Sequence, residues 1–317
     1  MKIAPKMLRG LAVLALATTL GVACDLGKTA NQITARSVVV ATVLTTPPVT
    51  LKPEAIAGLD ASFLQIDAGF LADSGITFDA GALPIDFRDA GLPIPAQNVV
   101  VVFFGQRQGD GLTAPPAGVA GATVSLQQAG GGSFQLADQG GGNYLLAGDD
   151  AGFKYTSNAT YQFNVVSAGE TYVAEVAQVP PEERIQAFES SRGFIDQPSG
   201  QPLTFVRPEP APGQRLNLGF VNVFPIDPNG KQVPTPTYTN VPKTPLDFLK
   251  LVGDAVGAQT EYRAQSVTIP GTAFPDRDKN YLIVFQSAKT GGPKSDNLFA
   301  GSAIIAGTAA VGIVKTR

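Results

Sequence analysis

The chain has 317 residues, of which 15% are charged, and its 23 basic and 26 acidic side chains leave a formal net charge of −3. It holds no His, no Trp and a single Cys, which excludes Ser-His-Asp and Cys-His catalysis, His-based zinc sites and His general bases. The acidic balance argues against nucleic acid as a partner, since that needs a concentrated basic surface. The 35 Gly and 25 Pro set among β-branched apolar runs predict an all-β chain with frequent turns.

At the N-terminus Lys2, Lys6 and Arg9 precede an apolar run over residues 10–17, and small residues follow Thr18 and Thr19. This is the three-part layout of a secretory signal. The run is short of the about 20 apolar residues that a helix needs to cross the bilayer, which makes a permanent transmembrane anchor the weaker reading.

Leu20-Gly21-Val22-Ala23-Cys24 resembles the lipobox of bacterial lipoproteins. In that family the signal is cut just before the Cys, whose thiol takes a diacylglycerol. Ala23 supplies the small residue required at the cut, and Gly21 departs from the aliphatic residue preferred there, with Leu20 one step earlier. The resemblance implies a signal peptide over 1–23, cleavage between Ala23 and Cys24, palmitate-type acylation of Cys24 and a place in the bacterial cell envelope. Cys24 is the sole cysteine, and acylation explains a leftover thiol in an exported protein. One acyl chain binds a membrane marginally, at ~0.8 kcal/mol per CH₂, whereas two or more hold firmly. Asp25 resembles the inner-membrane retention signal of enterobacterial lipoproteins and leaves that membrane open beside the outer one. The competing reading is an ordinary cleavable signal with an incidental Cys.

Loss of residues 1–23 takes the basic count to 20 against 26 acidic residues, a net of about −6. Residues 24–36 read as a lipidated tether. The run at 37–46 (SVVVATVLTT), stopped by Pro47-Pro48, predicts a buried strand, and 98–106 (NVVVVFFGQ) predicts a second. Between them, at about 60–95, Asp67-Ala68-Gly69, Asp79-Ala80-Gly81 and Asp89-Ala90-Gly91 recur. Asp closing an Asx-turn and Gly accepting φ > 0 make turns the preferred reading over Ca²⁺ binding, because the spacing is uneven.

From residue 115 the alternation sharpens: strands at 119–126, 134–137 and 143–146, separated by Gly130-Gly131-Gly132 and Gly140-Gly141-Gly142, then a hairpin over 160–166 and 171–176. The passages GVAGATVSLQ, GGGNYLL and ATYQFNVVSAGETYVAEVAQVP resemble Ig-like and transthyretin-like modules of bacterial envelope proteins, including carboxypeptidase-regulatory-like domains. That resemblance implies a β-sandwich and no particular function. Neither triglycine run carries the Lys-Ser/Thr of a phosphate loop, so both predict hairpin loops.

Residues 182–202 read as a linker, with a helical turn or two near 182–190 and Pro-rich sequence after it. Beyond it, strands are expected at 203–206, 216–223, 262–269 and 280–286, with a short helix at 246–252 and a turn at Asp227-Pro228-Asn229-Gly230. The apolar stretch 298–314 predicts a pair of buried strands turning near Ala306-Gly307-Thr308. Asn158-Ala159-Thr160-Tyr161 and Asp278-Lys279-Asn280-Tyr281 each place a Tyr just after a turn, which suits the tyrosine corner of Ig and fibronectin III sandwiches.

Asp276, Asp278 and Asn280 have the D-x-D-x-N opening of a Ca²⁺ loop, but Tyr281 stands where the loop needs Gly and Ser287 where it needs Glu. A polar turn is the better expectation there. A carbohydrate face lacks Trp, and most Phe and Tyr lie in alternating strands.

The sequence therefore predicts two tandem Ig-like or fibronectin III-like sandwiches, 37–181 and 203–317, behind a signal and tether. The functional expectation is a non-catalytic, membrane-anchored envelope lipoprotein without cofactor. Its partners would be the lipid bilayer, through acylated Cys24, and other envelope proteins. A lipid-anchored module for carbohydrate or Ca²⁺ is the alternative, and a carboxylate-based hydrolase a more distant one.

Overall fold

The computed structural model describes residues 26–51, 92–94, 96–108, 116–147, 152–189, 192–227, 232–233, 235–241 and 261–317. The signal peptide, Ala23 and Cys24 lie outside the described residues. So do most of the Asp-Gly-rich stretch, Pro228-Asn229-Gly230 and the helix expected at 246–252. The described chain is all-β apart from one helix, α1 (Leu26–Thr34), and short 3₁₀ turns.

In chain order the first strands are β1 (Ser37–Thr46), β2 (Val49–Leu51), β3 (Leu92–Ile94), β4 (Gln97–Gln106), β5 (Ala117–Gly118), β6 (Thr123–Gln128), β7 (Ser133–Gly140) and β8 (Asn143–Ala147). They are followed by β9 (Tyr161–Ser167), β10 (Glu170–Val176), β11 (Ile195–Gln197), β12 (Leu203–Val206) and β13 (Leu218–Ile226). The last are β14 (Tyr238–Thr239), β15 (Ser266–Ile269), β16 (Asn280–Pro293) and β17 (Ala303–Thr316).

The first core lies between two layers of one continuous hydrogen-bonded sheet. One holds β17, β1, β4 and β8 side by side, and the other holds β6, β9 and β10. Strand β7 joins them: Leu136 and its N-terminal neighbours pair with β6, and Ala137 onward pairs with β8 across a bulge at Asp138 and Gly140. Val39, Ala41 and Val43 of β1 meet Val100, Val102 and Phe104 of β4 and Val124, Phe163 and Val165 from the facing layer. Each such apolar side chain contributes about 1.5–3 kcal/mol on full burial. Val38 and Leu44 on the other face of β1, and Val101 of β4, are also buried. Burial on both faces is why these two strands read as continuous apolar runs rather than alternating ones.

The hairpin expected over 160–176 is β9 and β10, closed by Ala168 and Gly169, both at positive φ. Two consecutive left-handed residues make a type I′ turn, whose twist matches the strands. The first triglycine run sits in the loop between β6 and β7, and the second spans the end of β7 and its turn into β8, as hairpin connections. Gly142 is needed for close approach as well as for its φ of 82°, since a Cβ there would lie 2.3 Å from the Phe104 carbonyl.

A second core gathers Phe205, Val221, Val223, Ile269, Phe274, Tyr281, Ile283, Phe285 and Val314. The small sheet of β12 and β15 packs against β13, β16 and β17 around it. The two cores share one hydrogen-bonded system. β16 and β17 pair along twelve registered positions, β17 runs parallel to β1 from Ala303 to Thr308, and β16 carries β13 from Asn280 to Ala288. Ile304 and Ala306 belong to the first core, and Val314 on the same strand belongs to the second.

The stretch at 298–314 departs from its expected pair of strands. Leu298 makes an isolated bridge to Ser37, and Ala303–Thr316 is a single 14-residue strand with no turn at Ala306-Gly307-Thr308. Gly307 serves packing instead: a Cβ there would stand 2.1 Å from the Ser287 carbonyl on β16. The expected tether also differs, because Leu26–Thr34 within it is helical. Its end is closed by Thr34 Oγ1, which donates to the Ala30 and Asn31 carbonyls.

Candidate functional site

The Asp276, Asp278 and Asn280 stretch forms a turn at the mouth of β16. Asp278 sits at φ 55°, and the Asp276 amide donates to the Tyr281 hydroxyl at 3.2 Å. The Lys279 amide donates to Thr316 Oγ1 at 2.9 Å, which ties the turn to the end of β17. The same geometry recurs at Asn158, φ 61°, where the Thr156 amide donates to the Tyr161 hydroxyl at 2.7 Å. In both places the left-handed residue lies three positions before the Tyr and the bonded amide five before it. The Asn158 copy has no carboxylate, so the turn needs none to form. Among the described residues no group of three or more His, Cys, Asp or Glu could hold a metal ion.

Burial raises the phenols of Tyr161 and Tyr281, with the bonded backbone amides opposing the shift. Asp138 has the opposite shift. The amides of Gly121 and Gly140 each donate to it at 2.7 Å and hold its carboxyl below the usual range. That carboxylate fastens the β7–β8 bulge to the loop before β6.

A charged cluster that the sequence did not announce lies where the cores meet. Arg207 is fully buried beside Glu183. Its Nε donates to one carboxylate oxygen of Glu183, and its Nη2 donates to the other at 2.9 Å. Further donations reach the Asn217 carbonyl at 2.8 Å and the Tyr262 carbonyl at 3.3 Å. Ser287 Oγ of β16 donates to Glu183 at 2.6 Å, and the guanidinium lies 5.1 Å from the Phe285 ring centroid. A buried charge pair is tolerated when further hydrogen bonds support it, and here Arg207 makes four donations and Glu183 also accepts from Ser287. Ser287 is 1% exposed, so its hydroxyl has no route to a substrate. The cluster fastens three chain segments together.

The segment that carries Glu183 is pinned along its length. Val179 packs in the first core and Ile185 in the second. The Pro180 and Pro181 carbonyls accept from Tyr155 Oη at 2.7 Å and Thr308 Oγ1 at 3.4 Å. The helical turn expected nearby is the 3₁₀ turn Gln186–Phe188. Nothing in the spacing of Glu183 and Arg207 signals their pairing, because it depends on how two non-strand segments 24 positions apart come together.

A recess of about 570 Å³ opens between β14, β15 and the 3₁₀ turn Glu261–Arg263. Tyr238, Asn240, Glu261, Tyr262, Val267 and Thr268 are among the residues lining it. Burial, and then the Glu261 charge, raise the Tyr238 phenol. The Asn240 amide is committed to the sheet, accepting from the Val221 amide at 2.6 Å and donating to the Gly219 carbonyl at 3.3 Å. The recess has one carboxylate, Glu261, and no nucleophile–base pair among its described lining residues.

A third cluster sets the start of the body. Arg107 Nη1 donates to the Ile33 and Ala35 carbonyls, both at 3.3 Å, at the C-terminal end of α1. Its guanidinium lies 4.2 Å over the Phe299 ring. Cation at helix C-terminus and cation over ring are both favourable. Gln32 Nε2 donates to the Ser295 carbonyl at 3.1 Å, and the Gln32 carbonyl accepts from the Ala300 amide at 2.9 Å.

No family model matches the chain, and no curated protein matches it. Among solved structures, a crystal structure of chicken CNTN1 FN1-FN3 domains aligns at 9% identity with a TM-score of 0.20, covering 68% of this chain and 62% of that one. The chain thus spans less than two thirds of that structure. The all-β class and the sandwich packing rest on the strands and cores described above.

Proposed function

We propose that the chain is a bacterial envelope lipoprotein, held to a membrane through acylated Cys24, whose β-sandwich body acts without catalysis as a spacer or a protein-binding module. The carrying observation is in the sequence: a basic, then apolar, then small-residue leader ends in Leu20-Gly21-Val22-Ala23-Cys24, at the sole cysteine of the chain. The lack of His and the commitment of the buried Glu183, Arg207 and Ser287 to one another support a non-catalytic reading.

Intact mass of the membrane-extracted protein, wild type against Cys24→Ser, tests it. The expected result is a wild-type chain that begins at Cys24 and carries acyl mass absent from the variant. Soluble, cleaved and unmodified protein in both cases would replace the anchored reading with a freely secreted one.

A second reading, a lipid-anchored ligand-binding module, is favoured by the recess beside Tyr238 and Glu261. A ligand specific for the folded state raises thermal stability. Thermal scans with millimolar Ca²⁺ and with a panel of oligosaccharides discriminate the two, and unchanged midpoints would sink the second.

A further inference from the structure

We infer that the end of the molecule formed by α1 and the connection over residues 294–302 lies against the lipid bilayer, and that the body stands end-on with its second core held away from the membrane. This rests on the lipoprotein reading, because it takes acylated Cys24 as the anchor.

One residue, Asp25, separates Cys24 from Leu26, where α1 begins. Successive Cα atoms are 3.8 Å apart, so the acylated residue stays within about 8 Å of the first residue of α1. A flexible stem of a dozen residues would instead give a root-mean-square reach of about 20 Å and a freely tumbling body. The stem here is bonded to the fold. Arg107 from β4 holds the carbonyls of Ile33 and Ala35, and the 294–302 connection takes Gln32 through Ser295 and Ala300. The Phe299 amide donates to the Ser37 carbonyl at 2.8 Å, which secures the chain as it passes from α1 into β1.

The long hairpin gives the direction away from that end. β16 finishes and β17 starts beside α1, and each strand runs 14 residues. At about 3.3 Å per residue that is about 45 Å of strand. Tyr281, Ile283 and Val314 of the second core lie on its far part, with Arg277 and Arg317 beyond them. Lipid chains provide the attachment energy, and the pinned stem converts attachment into orientation.

The test uses the full acylated protein in phosphatidylcholine vesicles that carry a nitroxide on the lipid headgroup. Cys24 is blocked by acylation, so Ala300→Cys near α1 and Arg277→Cys at the far end each provide a single labelling thiol for a fluorophore. Given about 45 Å of strand between the ends, quenching at position 300 is expected to exceed that at 277 by about threefold or more. Adding Arg107→Ala and Gln32→Ala together to each variant removes the side-chain ties that hold the end of α1 and should shrink that ratio toward one. Flotation with the vesicles and intact mass are read on the same samples. Protein that floats but quenches equally at both positions overturns the orientation alone. Protein that neither floats nor carries acyl mass overturns the lipoprotein reading and the orientation with it.

Discussion

Glu183 and Arg207, 24 positions apart in sequence, form a two-bonded pair sealed at the junction of the two cores. Each partner belongs to a segment that is also held by its neighbours, Val179 and Ile185 packing on either side of Glu183 and the Arg207 amide donating to the Gln265 carbonyl. Glu183 lies in the passage that leaves β10, and Arg207 lies just past β12. Ser287 on β16 completes the set by donating to Glu183. The pair thus joins three chain segments, and the desolvation of two charges is offset only while both remain.

Arg207→Ala should accordingly destabilise the protein by about 3–5 kcal/mol, the usual range for a buried pair broken on one side. Arg207→Met combined with Glu183→Leu should lose less than the single change, because it strands no charge. Denaturant titration of the three proteins reads both effects. A loss below about 1 kcal/mol for Arg207→Ala would show that the junction relaxes without cost, as exposed pairs do.

Tyr161→Phe and Tyr281→Phe each delete a hydroxyl that accepts from an amide five residues upstream. Each should cost about 1 kcal/mol, the net value of one such bond. Their effects should add in the double variant, since they brace different cores and share no partner. Strong non-additivity would show that the cores unfold as one tightly coupled unit through these corners.

Burial raises the phenols of Tyr144, Tyr155, Tyr161, Tyr238 and Tyr281 above their ordinary value of 10. In each case the folded state holds the proton more tightly than the unfolded one. The stabilisation they give is therefore whole below pH 10 and is lost as pH rises from there through the folded-state values. Ultraviolet titration of phenolate should show these five ionising only with loss of near-ultraviolet circular dichroism. Normal titration near pH 10 with the fold intact would contradict it.

Gly307→Ala places a methyl 2.1 Å from the Ser287 carbonyl on the paired strand, a contact that backbone cannot absorb without moving. A loss of about 1–3 kcal/mol is expected from the overpacking. Thermal unfolding of the variant measures it. A neutral result would put the close approach of β16 and β17 at this point in question.

What the sequence revealed depended on how local the cause was. The β9–β10 hairpin and the two tyrosine corners were legible because a turn and the residues it serves lie within a few positions. The apolar runs of β1 and β4 were legible as buried strands, since burial on both faces removes the polar alternation. Gly307 was misread as a turn because a glycine needed for close packing and one needed for backbone freedom look alike in sequence. Residues 26–34 were read as tether because α1 owes its place to Arg107 and to residues 295–300, and neither is a local signal. Glu183 and Arg207 carried no mark of their pairing for the same reason. The anchor proposed at Cys24 rests on sequence motif alone, as a short covalent signal needs no fold.

The parallel pairing of β1 with β17 joins Val40 to Ala303 and Thr45 to Thr308, nearly the whole length of the body. A chain emerging N-terminus first therefore makes β1 early and must keep one of its edges unpaired until β17 arrives. Such long-range closure is slow, and an open apolar edge invites pairing with other chains. Removal of β17 would therefore leave that edge of β1 permanently open rather than trim an outlying strand.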